Sequence, residues 1–245
     1  MLLNNQPIKF RILNQWFNQP QGIRAAQAFT AEIRQASDLL SGQRLLQLGY
    51  CGNNLWLPDF KFQEKWIVTP NHLMYDHTIT ALLSALPFAQ NSMDCIIAPL
   101  TLEAFHDINL PLDEIDRVLR PMGYVIFWGI NPWSLWGASL KLGYTGCFGD
   151  HKTYLTSSFS LKRALLQRDY QQCLHTSFYY IPPIHNQSLI RKLAFFNEMG
   201  KMLWPFPAGF YCIIMQKYQN NLLLSDELYL KPSTVSQKLA LPLTG

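Results

Sequence analysis

The sequence contains no run of about 18 or more apolar residues, so no transmembrane helix is expected. No basic run exceeds two residues, and a net charge of +4 is too small and too dispersed to argue for nucleic acid. There is no CxxC. The five cysteines (Cys51, Cys95, Cys147, Cys173 and Cys212) are odd in number and widely spaced, which points to reduced thiols in a cytoplasmic protein. Cys147 with His151 and Cys173 with His175 stand close along the chain, but nothing makes the two pairs converge, so no metal site is expected. The amino terminus carries Asn4, Asn5, Gln6 and Pro7 where a signal peptide needs a continuous apolar stretch, so no signal peptide is expected either. Internal repeats and low-complexity segments are also lacking.

What is present is a chain of 245 residues, 49% hydrophobic and 15% charged, enough for one sizeable core under a lightly charged surface. Ile23, Ala26, Phe29, Ile33, Ala36 and Leu40 fall at helical spacing, stopped by Ser41-Gly42. Short apolar runs at 44–49, 65–69, 94–98 and 124–128 read as buried strands, and 78–83 as a further candidate. Leu112, Ile115, Val118 and Leu119 share a helical face over 112–120, and Pro121-Met122-Gly123 reads as its stop signal. A helix over 160–168 precedes strands near 172–181 and 210–217, which are separated by an insert with a helix over 188–199. Strands alternating with helices predict an α/β domain with a Rossmann-like, seven-stranded, mostly parallel sheet flanked by helices. The expected organisation is an N-terminal helical segment over 1–41, the α/β domain over 42–218 and a C-terminal tail over 219–245.

In such a sheet, ligands bind beyond the carboxyl ends of the strands where strand order reverses. The turn after the first strand, Leu48-Gly49-Tyr50-Cys51-Gly52-Asn53-Asn54, is the place to look. Glycines there let backbone approach a ligand, and a following helix would present free N–H groups. Only Gly49 and Gly52 are present, so this is not a GxGxxG dinucleotide turn, and a nicotinamide-dependent oxidoreductase ranks far behind. By themselves the two glycines fit a plain tight turn.

The order of segments says more. Leu-Gly after the first strand is followed by Leu86-Pro87-Phe88, Ser92-Met93-Asp94-Cys95-Ile96-Ile97, Leu102-Glu103 and Arg117-Val118-Leu119-Arg120-Pro121-Met122-Gly123. This succession resembles class I S-adenosylmethionine-dependent methyltransferases of the small-molecule type. From about Trp16 to Tyr218 the chain looks like a bacterial subgroup of methyltransferase-domain proteins (methyltransferase type 11-like), with Gly129–Gly137 and Gly209–Lys217 among the matching segments. The resemblance implies S-adenosylmethionine as cofactor, a small-molecule acceptor as partner, and a cofactor site bordered by Gln47, Gly49, Tyr50, Gly52, Leu82, Leu83 and Pro99. The chain departs from the pattern at its carboxylates. Gln47 stands where the first motif carries an acid, Cys51 where a second glycine is usual, Thr69 where an acid holds the ribose hydroxyls, and Leu82 where an aspartate takes the adenine amino group. Charge-assisted hydrogen bonds of this kind contribute ~1.5–3 kcal/mol each, so their loss weakens cofactor binding by about two orders of magnitude or more. Only 17 residues separate Val68 from Leu86, so the usual helix between the second and third strands is shortened or absent.

Methyl transfer from an activated sulfonium needs positioning and desolvation rather than a fixed triad, so no catalytic residue is assigned. His106, in the loop after the fourth strand, is a candidate general base, against the plainer reading of an exposed loop histidine. Glu103 reads as a helix-end or backbone contact. Trp128, Trp133 and Trp136 are expected to wall an apolar pocket, with core packing as the alternative, and Tyr144, His151 and Tyr154 to line the acceptor side. Two functions follow: a methyltransferase acting on a small molecule, or a non-catalytic binding or scaffold protein on the same fold. An open slot beside Gly49 favours the first, and a slot filled by side chains such as Tyr50 or Trp56 favours the second.

Overall fold

The computed structural model describes residues 5–36, 38–72, 77–143, 147–149, 151–184, 188, 190, 192–193 and 207–218. The chain enters through two helices, α1 (Gln6–Phe17) and α2 (Pro20–Ala36). The α1 helix has Pro7 in its first turn, where a missing N–H costs nothing, and buries Phe10, Leu13, Trp16 and Phe17 at helical spacing. Gly22 lets α2 turn back on it, since a Cβ there would lie 2.1 Å from the Trp16 carbonyl oxygen. The strands follow as β1 (Ser41–Leu48), β2 (Lys61–Thr69), β3 (Thr78–Thr80), β4 (Met93–Pro99) and β5 (Leu119–Ile130), then β6 (Tyr170–Phe178) and β7 (Phe210–Lys217). Helix α3 (Asn109–Val118) lies between β4 and β5, and α4 (Leu135–Lys141) and α5 (Ser158–Leu166) between β5 and β6.

The seven strands run in the order β3-β2-β1-β4-β5-β7-β6, with only β7 antiparallel to its neighbours. This is the Rossmann-like α/β architecture read from the sequence. Strand β1 is interior, pairing in parallel with β2 (Leu45 opposite Lys65) and β4 (Leu45 opposite Cys95), so the order reverses beside it. Its last four residues are all buried, as a strand covered on both faces requires.

Two local readings change. Pro121-Met122-Gly123 does not stop a helix. Helix α3 ends at Val118 and β5 begins at once, the tripeptide being absorbed where β5's pairing with β4 shifts register and Met122 takes φ +63°. No helix follows the Gly49 turn: residues 49–60 contain only a single 3-10 turn (Leu57–Asp59), and α2 supplies the apolar cover instead. Among the described residues between β2 and β3 there is no helix either, in keeping with the short spacing. The expected helix over 188–199 lies mostly, and the tail over 219–245 wholly, outside the described residues, as does Tyr144.

Aromatic rings from the entry helices and the sheet meet in the core. Phe29 of α2 stacks on Trp128 of β5 at 4.5 Å, and Trp56 meets Phe17, Phe29 and Trp128 edge-on at 5.8, 5.2 and 5.5 Å. Such pairs add ~0.5–1.5 kcal/mol each beyond the area they bury. Trp128 and Trp136 are therefore core residues and not the wall of a pocket. Trp133 is 80% exposed, with the Lys141 ammonium 5.5 Å from its ring centre.

Candidate functional site

The carboxyl ends of β1, β2 and β4 converge where the sheet order reverses. The Gly49 N–H donates to the Val68 carbonyl at 2.7 Å, and the Thr101 hydroxyl donates to the Leu48 carbonyl at 3.1 Å, tying β1 to both neighbours. Between Pro99 and Thr101, buried Leu100 is held at φ +51°, a conformation that costs a non-glycine residue ~1–3 kcal/mol and occurs mainly where surroundings enforce it.

The turn itself is satisfied from within. Gln47, at the family's acidic position, is fully buried. Its amide donates to the Gly49 carbonyl (2.8 Å) and the Asn54 side-chain oxygen (2.6 Å), while its own oxygen accepts from the Trp56 indole at 2.8 Å. Asn54 Oδ1 also accepts the Cys51 N–H at 3.0 Å. An acid at position 47 would leave two donors' worth of bonding unmade, so glutamine here belongs to a self-contained network.

Helix α1 covers the outer face of the turn. A Cβ added at Gly49, where φ is +91°, would lie 2.8 Å from the Phe10 ring, and one at Gly52, where φ is +56°, 3.0 Å from Phe17 Cβ. Asn14 Oδ1 accepts the Gly52 N–H at 2.7 Å. The two glycines thus do admit a close approach, but of a helix. Phe10, Asn14 and Phe17 of α1 therefore lie directly against the turn at Gly49 and Gly52. The remaining residues placed at the site stand as follows. Tyr50 is half-buried, Leu82 is 42% exposed, Leu83 is buried, and Pro99 is buried in the sheet opposite Trp128. At the end of β2, Thr69 is buried, and its hydroxyl accepts the Asn71 N–H at 3.4 Å. Among the described residues, the Gly49, Cys51 and Gly52 N–H groups of the turn are engaged by Val68, Asn54 and Asn14.

The other family-like segments prove to be fasteners of the sheet. Asp94 Oδ2 accepts the Gln43 and Arg44 N–H groups at 2.6 and 2.8 Å, and Oδ1 meets Arg120 at 2.5 Å, joining the amino ends of β1, β4 and β5. Arg117 donates to the Leu86 and Phe88 carbonyls (2.9 and 2.8 Å) and pairs with Glu114, whose other role is to accept the Leu86 N–H at 2.7 Å. The Leu86-Pro87-Phe88 and Arg117-Val118-Leu119 motifs are thus two halves of one clamp. The arginine hydrogen bonds hold the Glu114 carboxyl below its ordinary pKa.

Glu103, in the 3-10 turn after β4, is 1% exposed and accepts the Ile130 N–H at 2.8 Å, the backbone contact expected of it. Its second oxygen has no partner among the described residues, and burial pushes its pKa up to about 7. Beyond it a cavity of about 180 Å³ opens between the first turns of α1 and the segments 104–107 and 151–154. His106, exposed, packs edge-on against Tyr154 at 5.0 Å, so His106, His151 and Tyr154 do come together. Gln6 and Lys9 of α1 complete the wall, residues that sequence reasoning missed although Phe10, Leu13 and Trp16-Phe17 repeat at helical spacing beside them.

Sheet order and interior β1 define the class of fold, a Rossmann-like α/β domain. Residues 52–127 match the family model described as methyltransferase domain. Within curated sequences, a segment is 32% identical over 76 residues to the biotin biosynthesis bifunctional protein BioHC of Saccharophagus degradans, covering 28% of this chain and 14% of that protein. In fold the chain is similar to a Thermotoga maritima S-adenosylmethionine-dependent methyltransferase described as a possible histamine N-methyltransferase, with TM-score 0.60, 16% identity, and 86% and 98% of the two chains covered. It is also similar to a Haloferax volcanii putative methyltransferase structure determined with its Trm112 activator (TM-score 0.63, 12% identity, 88% and 98% covered). A third likeness is to the Streptomyces coelicolor geranyl diphosphate C-methyltransferase (TM-score 0.54, 14% identity, 80% of each chain), a structure that holds S-adenosyl-L-homocysteine.

Proposed function

We propose that this protein is an S-adenosylmethionine-dependent methyltransferase acting on a small molecule, and that α1 must move off the Gly49–Gly52 turn to admit the cofactor. The observation that carries this reading is the methyltransferase-domain match over 52–127, a segment running from that turn through the clamp to β5. Lifting Phe10 and Asn14 would return the Gly52 N–H and the Gly49 backbone to a ligand. A reducing compartment such as the cytoplasm suits the free thiols of Cys51, Cys95, Cys147, Cys173 and Cys212, and among the described residues no helix is long and apolar enough to cross a membrane.

A second reading, a non-catalytic binding protein on the same fold, is favoured by one observation: the Gln47–Asn54–Trp56 network and α1 together satisfy the turn without a ligand. Calorimetric titration with S-adenosylmethionine and S-adenosylhomocysteine separates the two, alongside thermal denaturation. A native-state ligand at a hundred times its Kd stabilises by ~2.7 kcal/mol. Binding is expected, and tighter in Phe10→Ala. If neither the wild type nor Phe10→Ala binds either compound at millimolar concentration, the enzymatic reading fails.

A further inference from the structure

The cavity beside α1 is chemically asymmetric. Its floor is apolar, from Ala104, Phe105 and Leu110, while two ammonium groups gather near one aromatic ring: Lys9 Nζ lies 5.0 Å and Lys152 Nζ 5.4 Å from the Tyr154 centre. Lys9 is only 6% exposed and uses one proton on the Ala104 carbonyl at 2.9 Å, leaving two more to place. The acid in the lining, Asp107, already accepts the backbone and side-chain N–H groups of Asn109, each at 2.9 Å, and it is exposed. The α1 amino-terminal turn adds positive potential, and Asn5 makes no side-chain cap there. Most telling is Gln6: 4% exposed, in the cavity wall, its side-chain oxygen has no hydrogen-bond partner among the described residues. A buried carbonyl oxygen left unpaired is costly, and a ligand that donates to it recovers that cost.

We infer that this cavity binds a small organic carboxylate with an apolar body and a hydroxyl or amino group, the carboxylate between Lys9 and Lys152 and the donor at Gln6. The volume of about 180 Å³ is below the ~300–1,000 Å³ of sites for drug-sized molecules, so the ligand is about the size of a single ring. An ammonium pair needs an anion, the floor needs an apolar body, and Gln6 needs a donor. That this ligand is also the methyl acceptor rests on the function proposed above. The site itself does not.

The test is a calorimetric titration of the full chain, without cofactor, using 4-hydroxybenzoate, benzoate and benzyl alcohol as probes. The expected order is 4-hydroxybenzoate tightest, benzoate about tenfold weaker, and benzyl alcohol weaker again. Lys152→Met, at an exposed position, is expected to weaken both acids about tenfold while leaving the alcohol unchanged. Gln6→Leu is expected to bring 4-hydroxybenzoate down to the level of benzoate. Lys9 is left intact because its bond to Ala104 helps hold α1 in place. No measurable binding of either acid, binding of the alcohol as tight as benzoate, or an unchanged Kd in Lys152→Met overturns the site. Acid binding with no methylated product under S-adenosylmethionine overturns only the acceptor assignment.

Discussion

Replacing Glu103 by glutamine makes a quantitative test of how this fold handles a buried carboxyl. Burial raises its pKa from the ordinary 4.5 to about 7, while the Ile130 N–H pulls weakly the other way. In the unfolded chain the group titrates near its ordinary value, so between the two pH limits the native state holds the extra proton. The raised pKa therefore supports stability that is full below about pH 4.5 and is lost as pH rises through about 7. At ~1.36 kcal/mol per pKa unit, the loss reaches about 3 kcal/mol at pH 8. Glutamine matches the neutral acid in shape, can still accept from Ile130 N–H, and does not ionise. Thermal denaturation followed by circular dichroism, on both proteins from pH 5 to 8, reads the difference. Every other titrating group is common to the pair and cancels. Relative to Glu103→Gln, the wild type should have lost only ~1 kcal/mol at pH 5 and should fall a further ~2.5 kcal/mol by pH 8, roughly 5–10 °C in Tm at ~2–4 °C per kcal/mol for a chain of this size. Parallel pH profiles would show that water or a neighbouring group neutralises the charge, and would refute the reasoning.

Four further perturbations address the turn and the fasteners. Trp56→Phe removes the donor to Gln47 and some core volume, and should cost ~1–3 kcal/mol in urea denaturation; no loss would mean the Gln47 oxygen finds another partner. Gly49→Ala meets both φ +91° and the Phe10 ring, so a loss of at least ~1–2 kcal/mol is expected, with Phe10→Ala restoring part of it. Asp94→Asn keeps one acceptor but loses the charge that serves Gln43, Arg44 and Arg120; ~2–3 kcal/mol should be missing by chemical denaturation, and a neutral result would demote the joint between β1, β4 and β5. Arg117→Met frees the Leu86 and Phe88 carbonyls, which water can reach in part, so a small change of ~1 kcal/mol should accompany faster proteolysis within residues 81–92.

Much of the sheet was legible because strand signals are local. The apolar runs at 95–98 and 210–215 are strands in the structure because a strand segment buried on both faces is apolar along its length. The meaning of the family-like motifs was not legible. Spacing alone cannot tell that Arg117 reaches the Leu86 and Phe88 carbonyls, or that Asp94 holds the far end of β1, since both are contacts between distant segments. The Pro121–Gly123 reading failed for a related reason: the same residues that stop a helix also permit a strand to start at an irregular pairing with β4.

The sequence by itself determined the alternation of strand and helix, the glycines after β1 and the missing carboxylates at Gln47, Thr69 and Leu82. Only the tertiary structure decided what meets those glycines. Asn14 lies 38 residues from Gly52 along the chain, and its hydrogen bond exists because α1 and α2 fold back over the sheet in place of a helix after the turn. Hydrophobic periodicity sets which face of α1 is buried, but not where that face docks. The docking site follows from shape, as bare backbone at Gly49 accepts the Phe10 ring and bare backbone at Gly52 accepts the Phe17 main chain and Cβ, where an added side chain would crowd them.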